Sequence, residues 1–318
     1  MPWRWSVRLV QTGVRRWVAL FAACAAGLAP AAAAERVRLA TYNVENYVLT
    51  ATESRPAKSE GSKAKVAEVI RGLEADVLAL QEVGGAEALE DLRGRARQLG
   101  LDYPHFERVT GADTNIQVAL LSRFPIVARR PHVRDAFLLS GRRHRVSRGF
   151  IEVDVQVAPR YTLTVFVAHL KSRRPSAEAD EAELRAAEAG VLREKIEARL
   201  REDPRANVAV MGDLNDTKDS EAIRAILGRG RGALVDTRPA ERSGDTGYTP
   251  NPRWQPRTIV WTHYYGVEDT YSRVDYILLH PNAAREWVAK ESWIPSIPDW
   301  GVASDHRAIV VTLEATER

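Results

Sequence analysis

Short apolar runs that stop abruptly on polar residues constrain this chain more than any other feature. Val37–Tyr42, Val77–Leu80, Val118–Leu121, Thr162–Ala168, Val208–Met211, Tyr276–Leu279 and Ala308–Leu313 are short, mostly apolar segments of strand length. Such runs read as strands buried on both faces. Helical patterns lie between some of them, over Lys63–Leu73, Ala86–Leu99, Ala177–Arg201 and Ser220–Leu227. In the longest, Leu184, Val191, Leu192, Ile196 and Leu200 fall near helical spacing, and its Glu and Arg residues read as a solvated face. Strands alternating with helices imply an α/β protein.

The residues that end the strands carry more information than the strands. Val37–Tyr42 runs into Asn43, Val77–Leu80 into Gln81-Glu82, Thr162–Ala168 into His169, and Val208–Met211 into Gly212-Asp213-Leu214-Asn215. If that last strand continues, the spacing of two puts Asp213 and Asn215 on one side. Open α/β sheets gather their sites at the carboxyl ends of strands. Asp275 and Asp305-His306 reverse the pattern, because they sit at the start of strands. To reach the same edge those two strands must run antiparallel to the others. A mixed sheet system is therefore expected, which argues against a purely parallel Rossmann or barrel architecture.

Taken together, the candidates are Glu82, Asp213, Asp275 and Asp305, with Asn43, Asn215, His169 and His306. Oxygen donors without cysteine suit a hard cation such as Mg²⁺, with Mn²⁺ as the variant. A histidine beside a carboxylate suits proton transfer. The combination fits hydrolysis of a phosphate ester, with a metal neutralising phosphate charge and a base activating water. Singly, each residue has an ordinary reading: a turn aspartate, a satisfied histidine or an amide at the end of a strand. Asp275 differs, because a carboxylate inside an apolar strand needs a partner.

Seven segments in order carry a family resemblance. They are Thr41-Tyr42-Asn43-Val44-Glu45-Asn46, Leu80-Gln81-Glu82-Val83, Leu120 to Ile126, Ala168-His169-Leu170-Lys171-Ser172, Gly212-Asp213-Leu214-Asn215-Asp216, Arg273-Val274-Asp275-Tyr276-Ile277 and Ser304-Asp305-His306-Arg307. This set resembles the endonuclease/exonuclease/phosphatase superfamily, which includes deoxyribonuclease-like nucleases, sphingomyelinases and inositol polyphosphate phosphatases. The resemblance implies a four-layer α/β sandwich of two mixed β-sheets flanked by helices. It implies Glu82 as principal metal ligand, with Asn43 and Asp305 close to the metal or its waters. His306 is implied as general base or as a phosphate-binding imidazolium, with Asp275 fixing its tautomer and charge. Asp213 positions or deprotonates the water, Asn215 binds a phosphate oxygen, and His169 protonates the leaving oxygen or holds the phosphate.

Substrate class is less constrained. Arg142–Arg148 is the densest basic run after the first 34 residues; Arg148 is the member expected at the site, and Lys171 with Arg173-Arg174 would extend a positive surface. Trp254, Trp261, Tyr264 and Tyr265 could stack on bases, line a lipid edge or pack. Trp293–Trp300 is a further candidate for a lipid edge or a cleft wall. Gly228–Gly232 follows no strand and lacks a P-loop Lys-Ser/Thr, so it reads as a helix stop. The favoured expectation is a phosphodiesterase of nuclease type acting on nucleic acid. The alternatives are a lipid or inositol phosphate esterase with the same site, or a catalytically silent phosphate-binding relative.

Charge and targeting bear on partners and location. The formal charge of +4 comes from 46 basic and 42 acidic residues, and residues 1–34 hold four of the bases (Arg4, Arg8, Arg15, Arg16) and no acid. The remainder is neutral, so attraction to nucleic acid must come from a local patch. The four arginines, the apolar Trp17–Leu28 and Ala32-Ala33-Ala34 read as a signal peptide over 1–34, leaving 35–318 as one domain. Periplasmic or secreted localisation is expected, by the Sec or the twin-arginine route, with lipid anchoring at Cys24 a minor alternative. No integral membrane span is expected in the mature chain, and a monomer is expected.

Overall fold

A computed structural model describes residues 1–3, 34–242 and 258–317. Residues 4–33 of the proposed signal segment, Cys24 among them, and Trp254 lie outside the described residues. No helix among them is long and apolar enough to cross a membrane.

Two mixed sheets dominate the unit that begins at Ala33. The first runs Ala240–Glu241, Trp293–Ile294, Ile309–Ala315, Glu35–Tyr47, Val77–Val83, Gln117–Ser122, His105–Val109. The second runs Val235–Asp236, Asp275–Leu279, Asn207–Asp213, Tyr161–His169, Phe150–Ala158, Ile126–Arg129. The strand that begins at Asp275 and the one that follows Asp305-His306 are antiparallel to their neighbours: Asp275–Leu279 against Asn207–Asp213, and Ile309–Ala315 against Glu35–Tyr47.

Alternation along the strands explains the layers. Val37 and Leu39 join Val77, Ala79, Val165, Val167, Ala209, Met211, Ile277 and Leu279 in a core between the sheets. The intervening Ala40, Tyr42, Leu78 and Leu80 face the helices Glu60–Leu73 and Ala86–Gln98. On the far side Phe166, Ala168, Val208, Val210, Tyr276 and Leu278 face Glu181–Glu202 and Glu221–Leu227. Helix, sheet, sheet, helix is the expected four-layer sandwich.

Local chemistry sets the helix ends. Ser59 caps the first helix by accepting from the Ser62 N–H, and Glu74 closes it in the left-handed region. The long helix starts at Glu181 rather than Ala177, because the Asp180 carboxylate accepts from the N–H groups of Ala182 and Glu183. Its charges also depart from expectation. Arg185 and Glu188 are buried, so they do not belong to a solvated face. Gly228 ends the next helix with φ of 70°.

Several elements were not legible as strands. His105–Val109 is one; two small hairpins, Ala136–Arg145 and His263–Ser272, are others. The basic run Arg142–Arg145 is an edge of the first hairpin, with Arg142, Arg143 and Arg145 exposed and His144 buried against Phe137.

Candidate active site

The parity that fills the core also aims the site residues. Asn43 continues the row of Val37 and Leu39, His169 that of Val165 and Val167, Asp213 that of Ala209 and Met211, and Asp275 that of Ile277 and Leu279. Each row leaves the apolar core at one end of the seam between the sheets. In the second sheet Asp213 pairs with His169 on one side and Asp275 on the other. Three functional side chains therefore stand abreast on adjacent strands.

Asn43 links the sheets. Its amide nitrogen lies 3.0 Å from Asp213 Oδ2, 3.4 Å from Glu82 Oε1 and 3.5 Å from His306 Nε2. Its own oxygen accepts from the Glu45 N–H at 3.0 Å. Glu82 Oε2 accepts from the Asn46 N–H at 2.9 Å, so Oε1 is the oxygen facing the centre. His169 Nε2 stands 3.5 Å from Asp213 Oδ2 and 4.0 Å from Glu82 Oε1. His306 Nδ1 contacts Asp275 Oδ2 at 2.8 Å, while its Nε2 faces Asp213 at 3.7 Å and Asp305 at 3.9 Å. Asp275 thus has the partner its burial demands.

Backbone conformation is unusual here. Glu45, Asn46, Glu82 and Asn215 all have positive φ, between 44° and 65°. Residues held in this region without being glycine mark places where surrounding structure overrides local preference. Glu82 reaches the centre by this turn rather than by strand alternation. Asn215 does likewise: the strand ends at Asp213, and Asn215 comes back to bond Asp213 Oδ1 through its N–H at 2.8 Å. The two residues meet as expected, but through a turn and not a continued strand. Before them, Gly212 has φ of 145°, and a Cβ there would fall 1.9 Å from the Ala168 carbonyl oxygen.

Burial and neighbouring charge set the protonation states. Burial pushes the Asp213 carboxyl up to about 6; His306 opposes that rise and Asp275 adds to it. Burial disfavours the His306 cation, yet Asp275 and Asp213 together hold its pKa well above the usual imidazole range. Burial, then Arg148, His306 and Arg55, hold His169 well below that range. One imidazole is therefore cationic and the other neutral near neutral pH.

Glu82, His169, Asp213, Asn215, Asp305 and His306 open onto one cleft of about 530 Å³, and Asn43 and Asp275 stand behind them. Arg148 lines it, as do Arg173 and Arg174. Lys171 is not among its lining residues, since its ammonium turns to the carbonyls of Ser172 and Arg174. Trp293–Trp300 does not line it either: Trp300 packs on Trp261, which packs on Tyr271. Arg55 and His263 are among the lining residues that carried no sequence signal. Arg55 lies in a loose stretch, its Nε donating to Asn46 Oδ1 at 2.7 Å. His263 sits on the second hairpin, its ring 4.5 Å from that of His306 and its Nε2 3.6 Å from Asp305 Oδ2.

The donor set fits a hard divalent cation. Glu82 Oε1 and Asp213 Oδ2 converge on one amide, and Asp305 lines the same cleft. The rise of the buried Asp213 pKa marks a place where negative charge lacks enough compensation. Two groups, Asp213 with Asp275 and His306, and Asp305 with His263 and His306, have ligand-type atoms within 4.8 Å of one another.

A two-sheet sandwich with carboxylates, amides and imidazoles at one end of its seam defines the deoxyribonuclease-like class, whose members are phosphoric ester hydrolases. The chain belongs to the Endonuclease/Exonuclease/phosphatase family, whose profile matches residues 40–306. Similar solved structures share the fold at low identity. Sphingomyelinase C from Streptomyces griseocarneus is 18% identical with a TM-score of 0.60, over 87% of this chain and 99% of that one. Truncated TDP2 from Caenorhabditis elegans is 18% identical with a TM-score of 0.56, over 88% and 98%. The human Nocturnin catalytic domain, solved with a bound sulfate anion, is 16% identical with a TM-score of 0.57, over 88% and 95%. No curated protein matches the sequence.

Proposed function

We propose that this chain is an exported, divalent-metal-dependent phosphodiesterase of nuclease type, cleaving phosphodiester bonds by attack of water on phosphorus. The observation that carries the reading is the Asn43 amide, which gathers Glu82, Asp213 and His306 from both sheets around one point. Glu82, with Asn43 and Asp305 nearby, would hold Mg²⁺ or Mn²⁺. When bound, the ion neutralises phosphate charge and polarises the phosphorus–oxygen bond.

The side chains supply the rest. Asp213, with its pKa near neutrality, is suited to take the proton of the attacking water. The other reading of His306, a phosphate-binding imidazolium, is the one supported by its two carboxylate neighbours. Asp275 holds its Nδ1–H and thus aims Nε2 at the cleft. His169, kept neutral, offers a ring N–H to the departing oxygen, and Asn215, whose amide donates to the Leu170 carbonyl and Asp213 Oδ2 in the free protein, would exchange one of these bonds for a phosphate oxygen. As the water oxygen–phosphorus bond forms and Asp213 takes the proton of the water, the ester oxygen–phosphorus bond breaks; the departing oxygen takes its proton from solvent, giving a phosphomonoester and an alcohol. Retention of all these groups speaks against a silent binding relative.

Residues 1–34 are proposed as the signal peptide and 35–318 as the exported domain, in line with a first strand that begins at Glu35. N-terminal sequencing of the exported protein should start there. The activity test is a panel of plasmid DNA, RNA, bis(p-nitrophenyl) phosphate, sphingomyelin and inositol phosphates, each with Mg²⁺, with Mn²⁺ and with chelator. Metal-restored cleavage of nucleic acid is expected. Intact nucleic acid alongside hydrolysed lipid would transfer the assignment to a lipid esterase, and no turnover of any substrate would remove the enzymatic reading.

A further inference from the structure

One wall of the cleft carries more positive charge than hydrolysis at a single phosphate requires. Arg55, Arg148, Arg173 and Arg174 all line it. Arg148 is only 7% exposed, and its Nε has no hydrogen-bond partner among the described residues. Its Nη1 donates to the Leu170 carbonyl at 3.1 Å. The carboxylate near it, Asp113, is shared with Arg55, at 3.8 Å from Arg148 Nε and 3.5 Å from Arg55 Nη2. Two largely buried guanidiniums thus divide one loosely placed carboxylate. A buried N–H left without an acceptor costs stability unless a ligand satisfies it.

These guanidiniums are tied to the hydrolytic residues without being part of them. Arg55 bonds Asn46, whose N–H bonds Glu82. Arg148 and the Asn215 amide donate to the same Leu170 carbonyl. Arg173 donates through Nε to the Asn215 carbonyl at 3.2 Å. The arginine wall therefore stands one residue away from the groups that face the scissile phosphate.

Resting on the phosphodiesterase reading, we propose that Arg55, Arg148 and Arg173 form a second-phosphate subsite. The substrate is then an ester bearing a further phosphoryl group next to the bond that breaks, as in a nucleic acid strand or a phosphorylated oligonucleotide. A single-phosphate ester with a cationic alcohol, such as choline, meets like charge at this wall and is disfavoured. Guanidinium–phosphate pairs are charge-assisted and frequently bidentate, so they discriminate strongly between one phosphate and two.

The experiment compares three thymidine oligonucleotides: dTpdT with one phosphate, 5′-phosphorylated pdTpdT with a terminal monoester, and dTpdTpdT with a neighbouring diester. Turnover is measured with Mg²⁺, and binding by calorimetry in chelator. Sphingomyelin vesicles and bis(p-nitrophenyl) phosphate run in parallel. The subsite predicts kcat/KM and affinity at least about tenfold higher for a two-phosphate ligand than for dTpdT. In Arg55→Gln and in Arg173→Ala, a half-exposed position that spares folding, that ratio should fall toward one. Whichever of pdTpdT and dTpdTpdT gains more identifies the source of the second phosphate. Equal treatment of all three oligonucleotides in turnover and binding, or a preference for sphingomyelin, overturns the subsite. Loss of turnover on every ester, bis(p-nitrophenyl) phosphate included, refutes the phosphodiesterase reading instead, and the calorimetric ratio then decides the subsite alone.

Discussion

Asp213→Asn should stabilise the metal-free protein while removing its activity. Burial raises the carboxyl from 3.8 to about 6. A carboxylate with a raised folded-state pKa costs nothing below its unfolded value, and the cost grows as pH rises until it is complete above the folded value. Two pKa units correspond to roughly 3 kcal/mol at pH 7. Asparagine removes that cost but puts an NH₂ group where Oδ2 accepts from the Asn43 and Asn215 amides, losing two hydrogen bonds worth together about 2 kcal/mol. The bond from the Asn215 N–H survives, because Oδ1 remains. A net gain of about 1 kcal/mol is therefore expected at pH 7. Urea unfolding in chelator at pH 7 and pH 4 measures it, and the advantage should vanish at the lower pH. Turnover with Mg²⁺ should fall by about 10²-fold or more. A variant less stable than the parent at pH 7 would refute the claim that Asp213 is a strained buried charge.

Three further outcomes follow from the geometry. Asp275→Asn should cut kcat/KM by about 10²–10⁴-fold and lower the His306 pKa, which NMR titration of the chelated protein would read. Without that carboxylate, the stability His306 gains from being protonated, present below the ordinary imidazole pKa and lost as pH rises through its raised folded value, should shrink. Gly212→Ala should destabilise by more than about 3 kcal/mol in urea unfolding, because its Cβ cannot coexist with the Ala168 carbonyl. Glu188→Ala should raise KM more than it lowers kcat: that buried carboxylate accepts from Ser147 N–H and Oγ at 2.8 and 2.6 Å and from the Lys171 N–H at 2.7 Å, holding the loops that carry Arg148 and Arg173.

The strands were legible because burial on both faces leaves mostly apolar runs, and the polar group at the end of each run marks where the chain emerges. The antiparallel sense of the Asp275 and Asp305-His306 strands followed from asking that all the polar ends meet. What escaped was set by tertiary contact. Arg55 reaches the cleft from an irregular segment, and His263 from a three-residue strand too short to show a period. Asn215 arrives by a left-handed turn that the simple two-residue rule does not describe. Glu188 and Arg185 read as surface charges because helical spacing cannot reveal that loops close over them.

The seam position of the site has a practical corollary. Asn43 and Glu82 belong to one sheet, and His169, Asp213 and Asp275 to the other, so neither half owns a working centre. Catalytic rate is in effect a ruler laid across the sandwich. Shaving a methyl from Val167 or Met211, the core residues next below His169 and Asp213, should slow cleavage at temperatures where the protein is still fully folded.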